Sequence, residues 1–337
     1  MKFLIAGLGS IGRRHLRNLL ALGEKDILLY RTHQATLPED ELAPFPVETK
    51  LTAALDCHPD AVIVANPTAL HLDIAIPAAE AGCHILLEKP VSNSIDRVDE
   101  LVSALERGGG KLLVGFQYRF HPAIQKAKQL LWSDGANGSI IGKPVSVRAH
   151  YGEYLPGWHP WEDYRRSYSS RADLGGGVIL TLSHPLDYLR FLLGDVDSLW
   201  AFSDTRGDLG MDVEDTAEIG LRFANGVIGS VHLDYLQQPT SRYFEIVGTK
   251  GTMRWDDASG VLSVYGAENG GSGEWVSFPP PLGFERNSMF LAEMEHFIDV
   301  IHGDAEPLCT VQDGIRALEI ALAARQSSQA DKVIRFA

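Results

Sequence analysis

Only three cysteines, Cys57, Cys83 and Cys309, occur in 337 residues, and no two of them form a CxxC pair. An odd, scattered set supports neither a disulfide framework nor a thiolate metal site, so reduced thiols in a cytoplasm and no bound metal are expected. No apolar run approaches the ~18 residues that would span a bilayer, so no membrane segment is expected. The opening stretch MKFLIAGLGSIG is too short and too rich in glycine for a signal peptide, and export is not expected either. Positive charge is in short supply: 30 Lys and Arg stand against 44 Asp and Glu, a formal charge of −14. That excess repels nucleic acid and anionic membrane surfaces, while leaving room for a local basic pocket around a phosphorylated ligand. Internal repeats are missing, and a Gly/Ser/Pro-rich stretch over 268–283 reads as a surface loop.

What is present is an ordinary globular composition, 45% hydrophobic and 22% charged. The length exceeds the ~250–300 residues at which one core stops growing, which predicts two domains. We place them at 1–120 and 121–337. Continuous apolar runs at 3–6, 27–30, 61–65, 85–87 and 112–114 suit strands buried on both faces. Helix-like stretches at 11–22, 68–81 and 94–107 alternate with them, and Pro77 should kink or divide the second. The alternation predicts an α/β, doubly wound parallel sheet of the Rossmann type.

Beyond Arg119 the pattern changes. His121-Pro122 can open a helix toward Trp132, and strand-like segments follow at 144–151, 196–202, 217–223, 227–235, 243–247 and 252–255. Short turns at Ala224-Asn225-Gly226 and Gly248-Thr249-Lys250-Gly251 suit hairpins. With helices at 176–193, 287–301 and 311–326, the second domain reads as α+β on a large, mainly antiparallel open sheet. Such a sheet face can be covered by a symmetry mate, so a homodimer or homotetramer is expected.

Gly7-Leu8-Gly9-Ser10-Ile11-Gly12 directly follows the first strand and opens the first helix. Gly7 permits the tight turn, Gly9 lets backbone approach a pyrophosphate, and Gly12 lets helix and strand pack closely. The helix N-terminus at Ser10 and Ile11 offers N–H groups to the anion. The bland reading is a glycine turn without a ligand. The second strand ends in Leu29-Tyr30-Arg31-Thr32, without the acid that usually holds an NAD ribose. Arg31 can pair with a 2′-phosphate and Thr32 can donate to it, which favours NADP over NAD, although an Arg at a strand end is also commonplace.

The order and spacing of further motifs are specific. They are Ala65-Asn66-Pro67 with His71, Glu88-Lys89-Pro90, the run from Gly115 to Phe120, the glycine-opened helix carrying His184, and the turn at 248–251. Together they resemble the glucose-fructose oxidoreductase, inositol dehydrogenase and MocA-like family over nearly the whole chain. The resemblance implies cofactor contacts from Asn66, Pro67, His71, Glu88, Lys89, Pro90 and Gln117, with Pro90 in cis. Lys89 would be the cation at the reacting hydroxyl and His184 the acid/base, chemistry that hydride transfer from an alcohol requires. Many members carry an Asp four residues before this His. Here Leu180 stands at that position, followed by Thr181, so Asp187, one turn after His184, can replace the electrostatic role or pair elsewhere.

Between Tyr151 and Arg171 aromatics, cations and hydroxyls crowd together. Stacking rings and directional donors suit a polyol, and Tyr118, Arg119, Tyr151, Trp158, His159, Tyr164, Arg165 and Thr181 join Lys89 and His184 as candidate substrate contacts. An interface loop would have a similar composition. The leading functional reading is an NAD(P)-dependent oxidoreductase acting on a secondary alcohol or carbonyl of a sugar, cyclitol or sugar acid. A non-catalytic NAD(P)-binding regulator of the same fold is the second. Reduction of a carbonyl or imine, with Lys89 or Tyr118 as acid, is the third.

Overall fold

The computed structural model describes residues 1–32, 40–132, 139–160, 162–266 and 273–336. The chain forms two compact units, one of residues 1–117, 173–175 and 286–318, the other of 118–172, 176–285 and 319–337. The first crossing falls close to the boundary expected near residue 120, but the chain later returns to the first unit.

The first unit opens with β1 (Lys2–Ala6), α1 (Ser10–Ala21), β2 (Asp26–Tyr30), β3 (Val47–Glu48), α2 (Leu51–Leu55) and β4 (Ala61–Val64). It continues through α3 (His71–Glu80), β5 (His84–Glu88), α4 (Val98–Gly108) and β6 (Leu112–Gly115). The strands pair in the order β3-β2-β1-β4-β5-β6, all parallel. Fully buried Phe3, Leu4, Ile5, Val62, Ile63, Leu86 and Leu87 explain why these runs lack polar alternation. Strand order reverses between β1 and β4, where open α/β sheets place their ligand crevice. α3 is not divided at Pro77. Ala75, Ala78 and Ala79 are buried on that helix, and this packing outweighs the lost backbone bond. α4 begins only at Val98, after Arg97 in the left-handed region, later than residue 94 as expected.

In the second unit, α5 (Pro122–Leu131) and β7 (Pro144–Gly152) precede α6 (Val178–Thr181) and α7 (His184–Leu193). The strands β8 (Val196–Asp204), β9 (Thr216–Phe223), β10 (Ile228–Asp234), β11 (Ser241–Gly248), β12 (Gly251–Asp256), β13 (Val261–Gly266) and β14 (Glu274–Phe278) follow. The chain then runs through α8 (Arg286–His302) and α9 (Val311–Ala330) to β15 (Ile334–Arg335). The nine-stranded sheet has the order β14-β13-β12-β11-β7-β10-β9-β8-β15 and is antiparallel except for the β7–β10 pair.

Two expectations fail here. The single helix expected over 176–193 is two helices, because Pro185 lacks the N–H that would bond back across the break and restricts the residue before it. Part of the stretch expected as loop over 268–283 is β14, an exposed strand paired with β13 at the edge of the sheet, while 267–272 lie outside the described residues.

α8 belongs to the first unit and packs on α1: Arg14 reaches Asn287 at 3.0 Å and lies over the Phe290 ring at 4.6 Å. On the second sheet Glu218, His232, His150 and Tyr243 form a row across four neighbouring strands. His232 Nε2 bonds Asp234 at 3.0 Å and Nδ1 bonds Glu218 at 2.6 Å, while the His150 ring stacks against it. The hydrogen bond to Asp234, then that to Glu218, raises the His232 pKa against the opposing effect of burial. A raised histidine contributes stability fully below its unfolded value of about 6.5 and loses it as pH rises through the folded value. Thermal melts should therefore find His232→Gln less stable than wild type at about pH 6, with the gap closing toward about pH 9. A gap independent of pH would show that His232 acts through packing alone.

Candidate functional site

At the top of the parallel sheet β1 runs into α1 through Gly7, whose φ is +96°. A side chain at Gly7 would collide with the backbone of Ala65 and Asn66, and one at Gly12 would overlap the Gly7 carbonyl oxygen. A Cβ at Gly9, by contrast, meets no protein atom within 4 Å. The N-terminus of α1 has Gly9 as its cap, no side-chain capping bond and no acid in its first turn. Two glycines thus close the turn and the third leaves backbone open beside helix N–H groups, an arrangement that fits a pyrophosphate. Arg13 Nε donates to Leu8 O at 3.0 Å, fastening the turn from the helix side.

Around this turn the polar residues divide into outward-facing groups and internal clips. Arg31 is 7% exposed at the end of β2, and Thr32 is exposed. Asn66 Nδ2 donates to Leu70 O at 2.9 Å. His71 is 1% exposed and bridges two carbonyls, Pro90 O at 2.8 Å and Asn66 O at 3.0 Å. Burial lowers its pKa, against the raising effect of the two carbonyls, and in the neutral ring only one of the two nitrogens carries the N–H that a carbonyl can accept. Expected as a cofactor contact, His71 instead ties the Asn66-Pro67 loop to the Pro90 turn. Glu88 is likewise turned inward: Oε1 meets His15 Nε2 at 2.7 Å and Oε2 accepts from the Lys89 N–H at 3.3 Å. The Lys89–Pro90 peptide is cis, Lys89 is half-buried, and Gln117 is 3% exposed.

In the second unit an aromatic cluster surrounds His184, in the first turn of α7. The Tyr118 ring lies edge-on at 5.1 Å and the Tyr151 ring stacks at 5.7 Å. Trp255 and Tyr188 back Tyr118 at 5.8 and 6.1 Å. Tyr118 and Tyr151 are 2% and 1% exposed, so these expected substrate contacts act as walls that hold His184. Arg119 and Asp187, candidates for substrate binding and for the electrostatic role beside His184, are found on each other: Arg119 Nη2 meets Oδ1 at 2.7 Å and Nε spans both carboxylate oxygens at 3.1 and 3.0 Å. Both are buried, and the guanidinium lies over Phe191. Asp187 thus neutralises a buried cation, the alternative the sequence left open. Leu180 is fully buried, and Thr181 is 2% exposed. Glu153 pairs with Arg242 at 2.6 Å.

The loop after β7 is built from short 3-10 turns at Leu155–Gly157, Tyr164–Arg166 and Tyr168–Ser170. The Tyr164 hydroxyl donates to Leu209 O at 2.9 Å, a structural use of a side chain expected to face substrate. Trp158 and His159 are half-buried and Arg165 is exposed, whereas Trp161 lies outside the described residues.

Residues 1–116 match the model of an oxidoreductase family with an NAD-binding Rossmann fold, and residues 124–254 match the GFO/IDH/MocA C-terminal domain. An uncharacterised oxidoreductase of Bacillus subtilis, YrbE, is 30% identical over 96% of this chain and 93% of its own. The chain belongs to the Gfo/Idh/MocA family of oxidoreductases. Another family relative, the myo-inositol 2-dehydrogenase of Thermotoga maritima, is 27% identical over 100% of this chain and 98% of its own. Among solved structures, a levoglucosan dehydrogenase in complex with NADH has a TM-score of 0.87 over 99% of this chain and 98% of that one at 23% identity, a shared fold. Sequence reasoning missed Glu293, which the fold buries beside Glu88 and His15. The signal was a single acid in the buried stripe Met289, Phe290, Met294, Phe297 and Val300.

Breaking a buried ion pair from one side costs ~3–5 kcal/mol because the partner charge stays buried. Asp187→Asn and Arg119→Met should each lower the melting temperature, and the double variant should recover much of the loss. If both single variants melt like wild type, the pair contributes nothing to the fold.

Proposed function

We propose that this member of the family transfers a hydride between NAD(P) and a secondary alcohol or carbonyl of a sugar, cyclitol or sugar acid. The observation that carries the reading is the Gly7–Gly12 turn, closed by its neighbours at two glycines and open at Gly9. When bound, the nicotinamide supplies the hydride acceptor or donor. Lys89, directly after β5, would stabilise negative charge on the reacting oxygen, and His184 would take or return the hydroxyl proton. The rings of Tyr118 and Tyr151 pack against the His184 ring and support its orientation. Relatives named for myo-inositol, levoglucosan and D-xylose support a polyhydroxylated substrate. Of the candidate contacts in the second unit, Arg165 is exposed and Trp158 and His159 are half-buried, which leaves them open to meet it. Apolar Trp200, Phe202 and Ile228, exposed on one face of the antiparallel sheet, favour pairing with a second copy of the chain.

For the cofactor we propose NADP over NAD, because Arg31-Thr32 stands where an acid would hold the ribose. A Haloferax volcanii relative is named as NADP-dependent. Titrations should show tighter binding of NADPH than NADH. Losing a charge-assisted contact costs ~1.5–3 kcal/mol, so Arg31→Ala should weaken NADPH by roughly ten- to a hundredfold and leave NADH nearly unchanged. Equal wild-type affinities would sink the preference.

Turnover with a panel of polyols, read by cofactor absorbance, tests the activity itself. Lys89→Ala and His184→Ala should keep the melting temperature while lowering kcat by roughly 10²–10⁴-fold. A folded His184→Ala variant with wild-type kcat would remove His184 from the mechanism, and the absence of turnover despite cofactor binding would favour a regulator.

A further inference from the structure

Glu293, on α8, is fully buried, and neither carboxyl oxygen has a hydrogen-bond donor. Its nearest titratable neighbours are His15 on α1 and Glu88 at the end of β5, the polar atoms of all three lying within 4.8 Å of one another. His15 Nε2 is already engaged with Glu88 Oε1 at 2.7 Å, and Nδ1 has no partner. The nearby cation of α1, Arg14, is turned toward Asn287 and Phe290; burial, then Arg286 and Arg17, disfavour its charge, while the carboxylate of Glu88 favours it. Two carboxylates this close, one fully buried and the other nearly so, cannot both be ionised cheaply. One must hold a proton, and Glu88 already accepts hydrogen bonds on both oxygens.

We propose that Glu293 carries a proton at neutral pH and donates it to Glu88, completing a buried acid–carboxylate–imidazole chain that positions the Glu88-Lys89-Pro90 turn. Burial, and then the charge of Glu88, push the Glu293 pKa well above the usual carboxylate range, in keeping with this. Glu88 is the pivot. One oxygen takes His15 and the other takes the N–H of Lys89, so the proton from α8 fixes the carboxylate from which the Lys89 backbone hangs. Gly115, paired with Glu88 across β6, leaves the room: a Cβ there would stand 3.3 Å from the Glu88 carboxyl carbon. Glu293 is on this account a positioning residue, acting through Glu88. Loss of its proton sets two carboxylates against each other behind the turn.

An acid with a raised folded pKa makes the protein less stable as pH climbs from the unfolded value toward the folded one, since only the native state keeps the proton. Melts of wild type and Glu293→Gln should coincide near pH 4.5 and diverge as pH rises, with Glu293→Gln gaining up to about tenfold in its folding equilibrium per pH unit. Parallel curves would overturn the proposal. So would a stoichiometric divalent cation in wild type that Glu293→Gln lacks. If Glu293→Gln does not fold, the wild-type infrared spectrum decides: a protonated-carboxyl carbonyl band at neutral pH that titrates away in alkali supports the proton, and its absence overturns it. The coupling to the turn rests on the proposed cofactor role and is read separately. NADH affinity should fall at alkaline pH in wild type and hold in Glu293→Gln, whereas the same alkaline fall in both overturns the coupling. A wild type that binds no NADH at any pH contradicts the functional reading, and the stability slope still decides the proton.

Discussion

A side chain at Gly12 would overlap the carbonyl oxygen of Gly7, and one at Gly7 would overlap the backbone that follows β4. Three backbone segments therefore meet at contact distance where the strand order reverses. α1 can lie against β1 and β4 only because two side chains are missing, and its uncapped N-terminus is carried to the carboxyl edge of the sheet by that contact. The rest of the first unit is organised around the same edge. His71 ties the β4 loop to the β5 turn, Arg13 ties α1 to Leu8, and His15, one turn into α1, reaches Glu88. Moving α1 outward by the width of a methyl group would pull on the Arg13 and His15 contacts at once.

The parts of this architecture that were legible in the sequence are those fixed by local chemistry. Continuous apolar runs gave away the buried parallel strands, because a strand covered on both faces has no polar side to show. The glycines of the first turn were legible because each answers a separate steric demand. The break between α6 and α7 was written in Pro185, though the apolar run through Leu180 and Leu182 masked it. β14 was illegible because an exposed edge strand in a Gly/Ser/Pro-rich context has neither alternation nor an apolar run. The return of α8 to the first unit is set by packing between Arg14, Phe290 and Asn287, residues hundreds of positions apart in one case and aromatic on a polar-looking helix in the other.

The candidate site was harder to read than the fold, for a reason that Arg119, Tyr118 and Tyr164 share. Residue types suited to binding a polyol are equally suited to bonding one another. Arg119 is satisfied by Asp187, Tyr164 by the Leu209 carbonyl, and Tyr118 is enclosed by His184, Tyr151, Tyr188 and Trp255. A sequence shows the supply of polar and aromatic groups but not which of them the fold has already used. Family spacing singled out His184 and Lys89 by position, whereas the loop residues were singled out by composition alone, which carries no information on which neighbour each side chain meets.

Buried charge is handled in two different ways in the two units. In the second, Arg119 and Asp187 carry opposite charges and are joined by three hydrogen bonds, so removing one partner leaves the other buried and uncompensated. In the first, Glu88 and Glu293 carry the same sign and cannot cancel, so neutrality has to come from a proton. The ion pair anchors a helix by joining opposite charges, and the acid network anchors a turn through charge that depends on protonation. The element bearing Lys89 is thus tied to solvent pH through a group that solvent does not touch, while the element bearing His184 is held by ring packing and an ion pair.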